Sequence, residues 1–354
     1  MTVTTVAALT VDVLFAQSDF DSSITPIPRS APLEALEDLT TSGGPIKLVT
    51  TDGMLTINGG SDATGVTAGG VSDILLQANG SGHDVVTNAS VTSGGGHITL
   101  QAADAVDVNA SVMTGDAGTI FVNAIAGDIT IDGTITSGTG DILIDAATDI
   151  TLNADLTTTG GSVGLVAGED VVQNAHIDAG SGHVLITAAS DVSMAAGTST
   201  TTAGGNVLIT ATSDNIAVGL IDAGSGNVRL SAGADITDAN ADTSTNITAS
   251  ALSLRADGQI GASDVLAVRT PAVNALALDT AVDTLAGLAT NGIYLAEADD
   301  VTVTTVAALT VDVTVQQSDF DSSITPIPRS TPLEVLEDLT TTSGPIKLVT
   351  RDGT

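Results

Sequence analysis

With 354 residues and a formal charge of −34 against only eight Lys plus Arg, the chain is repelled by nucleic acid and by anionic membrane surfaces. Aromatic residues make up 1% and Cys and Trp are absent, so neither disulfides nor a deep aromatic-filled core hold the fold. A mean hydropathy of +0.37 still supplies enough aliphatic surface to exclude disorder, and no run approaches the roughly eighteen apolar residues of a spanning helix, so direct membrane insertion is not expected.

The chain opens on MTVTTVAALTVDVLFA, which lacks the basic residues of a secretory leader. The same text returns 300 residues later: VTVTTVAALTVDV at Val301, QSDFDSSITPIPRS at Gln317 and GPIKLVT at Gly344. This reads as one repeat of about 300 residues plus the start of the next. Met1 stands where the second copy has Val301, as in an excised piece with an added start codon, and the natural protein is expected to be longer, with export signals and anchors elsewhere.

Residues 1–13 are read as part of a β-helix coil, and residues 14–43 as a loop or short-helix flap that leaves it. Residues 44–313 form the β-helix, residues 314–343 the second flap, and residues 344–354 the start of the next unit. Within the flap, Thr325, Pro326, Ile327 and Pro328 favour extended geometry, and Pro332 before LEVLEDL can open a short helix. Such a flap either packs on the wall through Leu333, Val335 and Leu336 or protrudes to bind a partner.

The β-helix pattern is clearest from residue 94 onward. In GTGDILIDAATDITLNADLTT, Ile142, Ile144 and Ala146 alternate as on one face of a strand, and Ile150, Leu152, Ala154 and then Leu156 follow the break at Asp149. Asp128, Asp149, Asp170 and Asp191 recur every 21 residues. Three strands and three corners account for that period, which predicts an all-β fold, a parallel β-helix (solenoid) with coils of about 21 residues. Weaker first strands at Ile46, Ile74, Leu252, Leu276 and Ile293 extend it to about twelve coils per unit.

If Asp128, Asp149, Asp170, Asp191, Asp214 and Asp235 stack in one row, neighbouring carboxylates repel by about 0.8 kcal/mol per pair even in water. Backbone N–H groups at the corners can offset that repulsion. Pairs of carboxylates, with Asp145 or Asp132 nearby, can instead bind Ca²⁺, which takes several oxygen ligands. His97 and His183 occupy coil starts equivalent to Thr119, Asp141, Ser162, Asn206 and Asn227 and read as corner residues. The row Thr99, Thr130, Thr151 is broken by Gly164, Leu185 and Leu208, so no regular Thr array forms. NxS/T sequences at Asn88, Asn109 and Asn246 read as turn chemistry. A polysaccharide-active β-helix enzyme would need a base with cations beside it; only Arg229, Arg255 and Arg269 stand mid-chain, with no aromatic sugar platform.

The rungs GDITIDGTITSGTGDILIDAATDITLNADLTT and GSGHVLITAASDV resemble those of filamentous-haemagglutinin-like adhesins and related giant bacterial extracellular repeat proteins over most of residues 69–300. The resemblance implies a right-handed helix, secretion to the cell surface or extracellular space, and a long stalk. The expectation is therefore a non-catalytic structural segment of a tandem-repeat rod, whose partners are further copies of the same repeat end to end. The competing expectation is an adhesin module that binds glycan, a surface or Ca²⁺ through the acidic wall or the flap.

Overall fold

The computed structural model describes all residues except 1, 4–9, 19–23, 33–37, 264–275, 320, 322 and 352–354, and the backbone alone for 2–3, 10–18, 24–32 and 332–333. The chain is all β: short parallel strands wind into a β-solenoid with coils about 23 residues apart and about ten turns. One coil shows the plan, with a first strand Ile142–Ala146, a second Ile150–Leu152 and a third Leu156–Thr158. Each stacks in register on its counterparts. Ile142 lies between Ile120 and Val163, Ile150 between Ile129 and Val171, and Leu156 between Ile135 and Ile177.

Three parallel sheets therefore enclose one narrow core. Their inward columns are aliphatic: Ile98, Ile120, Ile142, Val163, Val184 and Val207 in the first sheet are fully buried, as are Val106, Ile129, Ile150 and Val171 in the second. A strand of three to five residues cannot bury such a face alone, and stacking lets each aliphatic side chain contribute roughly 1.5–3 kcal/mol. The turns are fewer than the twelve expected, because the first strands expected at Leu276 and Ile293 do not each open a coil: Leu278 stands on the third sheet and Ile293 on the second, within one turn. Ile247–Ala256 pairs with the third sheet at Ile221 and the first at Val228, and Leu278–Ala289 repeats this one coil later.

The corner before the first strand explains much of the glycine. Gly96, Gly118, Gly140, Gly161, Gly182, Gly205 and Gly226 form a column in which each backbone sits against the one below. A Cβ on Gly182 would lie 1.9 Å from the Gly161 carbonyl oxygen, so only glycine fits.

The flap is not a loop or short helix. Leu309–Ser318 and Ile324–Leu333 form an antiparallel hairpin, and the LEVLEDL segment gives only an isolated bridge, Val306 to Leu336. Two physical reasons favour strands. Leu309, Val311, Val313 and Val315 alternate and are all buried, a longer apolar face than one helical turn provides. Pro326, Pro328 and Pro332 oppose Gln316, Thr314 and Thr310, on the edge where the second strand needs no N–H donor. Thr10–Ser18 and Ile24–Pro32 pair in the same register, Leu14 with Pro28 and Ala16 with Pro26. The remainder of the first flap, residues 19–23 and 33–37, lies outside the described residues.

Candidate functional site

The most heavily built surface is the outer face of the first sheet. Outward positions of a solvated solenoid should be polar, yet Phe121, Leu143, Leu185 and Leu208 stand in one column there, broken by Gly164. All four are buried, because the hairpin at 309–333 lies along the solenoid and packs Val311, Val313 and Val315 onto them. Gly164 makes room: a Cβ there would meet Leu143 at 2.9 Å and Val313 at 3.3 Å. We call this hairpin the strap.

Polar contacts set its position. The Thr314 N–H donates to Asp141 Oδ2 at 2.8 Å, the Gln316 N–H to Thr119 Oγ1 at 2.9 Å and the Ser318 N–H to Thr99 Oγ1 at 3.0 Å. These are the edge donors left over by the hairpin's own pairing, and side chains of three successive coils satisfy them, Asp141 and Thr119 from the corner and Thr99 from the strand itself. Arg329 forms an ion pair with Asp145, and Lys47 donates to Ser318 Oγ. Burial is the main cause that lowers the Lys47 pKa, against the opposing pull of Asp73, Asp319 and Asp321.

At the root of the strap, Arg229 continues the same outward column and is 2% exposed. Its Nη1 donates to the Glu334 carbonyl, while its Nε and the Ser253 hydroxyl have no hydrogen-bond partner. Both side chains border a cavity of about 130 Å³ closed by residues 305–309. Burial, then the neighbouring Arg255, lower the Arg229 pKa. Arg255 sits outward near Asp257, and Arg269 lies outside the described residues.

The acidic row is a hydrogen-bond ladder that climbs the second corner. The Asp149 N–H donates to Asp128 Oδ1 at 3.2 Å, the Asp170 N–H to Asp149 Oδ1 at 2.9 Å and the Asp191 N–H to Asp170 Oδ1 at 2.9 Å. Each carboxylate thus accepts from the coil above rather than from its own corner. Asp214 is not part of it. The longer coil puts Asn215 in the row, where its N–H donates to Asp191 Oδ1 at 2.8 Å and its Oδ1 accepts from Asp235 at 3.1 Å. Asp235 then accepts from the Gln259 N–H at 2.7 Å. Asp145 pairs with Arg329 and Asp132 accepts from Asn153, so neither joins the row. Among the described residues no group of three or more His, Asp or Glu is placed to hold a metal ion.

A second ladder runs up the corner before the first strand and contains the histidines. His97 Nδ1 accepts from the Thr119 N–H at 3.1 Å, Asp141 Oδ1 from Ser162 at 2.7 Å and His183 Nδ1 from Asn206 at 2.8 Å. An accepting Nδ1 matches a lowered His97 pKa, of which burial is the main cause. A third ladder links Asn58, Asn88 and Asn109, and another Asp132, Asn153 and Asn174, through side-chain amides at 2.8–2.9 Å. Asn246 is fully buried and bonded to Asp238.

Sequence reasoning missed the wall itself. Its signal was present in Leu185 and Leu208, apolar residues at outward positions of the first sheet; Thr130 and Thr151, set in one row with Thr99 by the sequence reading, stack in the second sheet instead. No family model, curated protein or solved structure matches this chain.

Proposed function

We propose that this chain is a non-catalytic structural segment of a secreted tandem-repeat protein, similar in kind to filamentous-haemagglutinin-like adhesins, and that its solenoid is a rod at the cell surface or in the extracellular matrix. One observation carries this reading. The strand IKLVT occurs in both copies and offers opposite edges: Ile46 pairs forward with Ile74, and Ile346 pairs backward with Ile293. The repeated strand thus stacks on the first coils of the unit in one copy and on the last coils in the other, on the first sheet at Ile74 and on the second at Ile293. Parallel edges of this kind are satisfied by continuation of the stack. The ladder and glycine columns serve the same role, since they make every coil a template for the next.

Electron microscopy of arrays with one, two and three units tests the reading. About ten turns at roughly 4.8 Å each predict a rod that lengthens by about 50 Å per added unit. Compact particles whose length does not grow with unit number would overturn it.

A further inference from the structure

The outward column of the first sheet changes character under the root of the strap. From coil to coil it reads Leu185, Leu208, Arg229, Ser253 and Ala286, and all five are buried. The strap's valines fill the space over the leucines. Over Ser253 the cover is the segment 305–309, and the short side chain leaves a cavity of about 130 Å³ between sheet and segment. Two polar atoms that border it have no partner, Arg229 Nε and Ser253 Oγ, on residues 2% and 1% exposed. Arg229 Nη1 donates to the Glu334 carbonyl.

Water alone does not compensate this place. A water needs only about 10–15 Å³ and can accept from Nε and pair with Ser253, but it leaves the charge unbalanced. A buried guanidinium without a counter-ion is costly, and arginine keeps its proton. No carboxylate among the described residues comes within ion-pair distance of Arg229. Burial lowers its pKa most, Arg255 in the next coil lowers it further, and only Glu334, an exposed residue, opposes them.

An anion meets all three needs at once: it accepts from Nε, accepts from the Ser253 hydroxyl and balances the guanidinium. A guanidinium edge favours paired oxygens, and the cavity has room for several heavy atoms. Asn227 and Thr305 add amide and hydroxyl donors to the lining. We propose that Arg229 and Ser253 form a binding site for a small oxyanion, of sulfate, phosphate or carboxylate type, which clasps the root of the strap to the first sheet. Entry is from the strap side, where Thr305, Ala307 and Ala308 are exposed. The net charge of −34 opposes approach at long range, but screening beyond a Debye length of about 8 Å at physiological salt leaves the contacts in the cavity to decide.

Sulfate and acetate are the probes, in HEPES buffer with ionic strength held by sodium HEPES, a bulky sulfonate. Isothermal titration of the full chain should show one saturable site. Affinity should fall about tenfold or more in Arg229→Leu and about three- to tenfold in Ser253→Ala. In HEPES alone the guanidinium has no counter-ion, so Arg229→Leu should melt no lower than the wild type; the probe should then raise the melting temperature of the wild type and leave that of Arg229→Leu where it was. Hydrogen exchange of residues 305–313 should slow as the site fills. Sulfate without acetate assigns the site to tetrahedral oxyanions, and acetate without sulfate to carboxylates. Absence of saturable binding by either probe overturns the proposal and leaves the cavity to water. Equal binding by Arg229→Leu overturns it too, because the anion then sits elsewhere, and binding that leaves exchange at 305–313 unchanged overturns the clasp. If Arg229→Leu loses its β-sheet circular dichroism, Ser253→Ala decides by the same criterion.

Discussion

The glycine column makes the sharpest stability prediction. Gly182 has no unusual φ, so the cost of Gly182→Ala comes from space alone. The added Cβ would lie 1.9 Å from the Gly161 carbonyl oxygen and 2.4 Å from its carbon, where ordinary contacts begin near 3.4 Å. Relief requires the two coils to part by roughly 1 Å out of a spacing of about 4.8 Å. That strains three backbone hydrogen bonds at the corner, Gly182 to Ala179 at 2.8 Å, Val163 to His183 at 2.8 Å and Val184 to Asn206 at 2.9 Å. At about 0.5–1.5 kcal/mol each, the expected loss is about 1.5–4.5 kcal/mol. Gly197→Ala meets no atom within 4 Å but sits at φ +82°, which predicts a loss of about 1–2 kcal/mol. Gly43→Ala, with open space and no left-handed φ, should change stability by less than about 0.5 kcal/mol. Urea unfolding followed by circular dichroism ranks the three. If Gly182→Ala falls within 1 kcal/mol of Gly43→Ala, the close stacking of coils at this corner is wrong.

The Asp row should tolerate amides but not truncation. Asp170→Asn keeps the acceptor for the Asp191 N–H, as Asn215 does in its own coil, and removes like-charge repulsion, whereas Asp170→Ala leaves that N–H without its partner and should cost about 1 kcal/mol in urea unfolding. With the carboxylates of this row engaged in hydrogen bonds, replacing Na⁺ by Ca²⁺ at constant ionic strength should leave the thermal midpoint unchanged, and a rise of several degrees abolished by Asp170→Asn would restore the calcium site. Asp279 is buried, and burial outweighs the opposing effect of its partner Arg351 to raise its pKa to about 7. Burial also raises Glu297, against hydrogen bonds from Thr280, Val282 and Ala298. A carboxyl raised on folding binds more protons folded than unfolded, so its contribution to stability falls as pH rises from the ordinary carboxylate range to about 7. Thermal melts between pH 4 and pH 8 should show this decline and Asp279→Asn should flatten it, and an unchanged profile in the variant would assign the decline to other groups.

The repeat made the architecture legible and hid the most specific surface. A 21-residue period with alternating Ile and Leu specifies stacked parallel strands, because inward columns in successive coils repeat one residue type. The corner identities of His97 and His183 were legible for the same reason: any short acceptor serves a ladder. Asp214 was misplaced because a period counted in sequence cannot place an extra residue within a coil, and only the register shows that Asn215 takes the position. The flap was misread because Pro332 before LEVLEDL satisfies helix-start rules locally, while the deciding partner surface lies far away in sequence, at Phe121, Leu143, Leu185 and Leu208.

Arg229 shows how far the column argument extends. It follows Leu208 in the covered column, but its guanidinium is buried with an unpartnered Nε and no carboxylate within ion-pair distance among the described residues. Arginine does not shed its proton to escape burial, so the fold bears the desolvation cost against one bond to the Glu334 carbonyl. Leucine at this place would extend the apolar stripe beneath the root of the strap and leave only the Glu334 carbonyl, on an exposed residue, to be met by water. Arg229→Leu is therefore expected to be neutral or to stabilise the chain by up to about 1–2 kcal/mol in urea unfolding. A loss of more than about 1 kcal/mol would mean that the guanidinium has a partner in the 130 Å³ cavity that offsets its burial, and the column would then end at Leu208 for a chemical reason rather than a steric one.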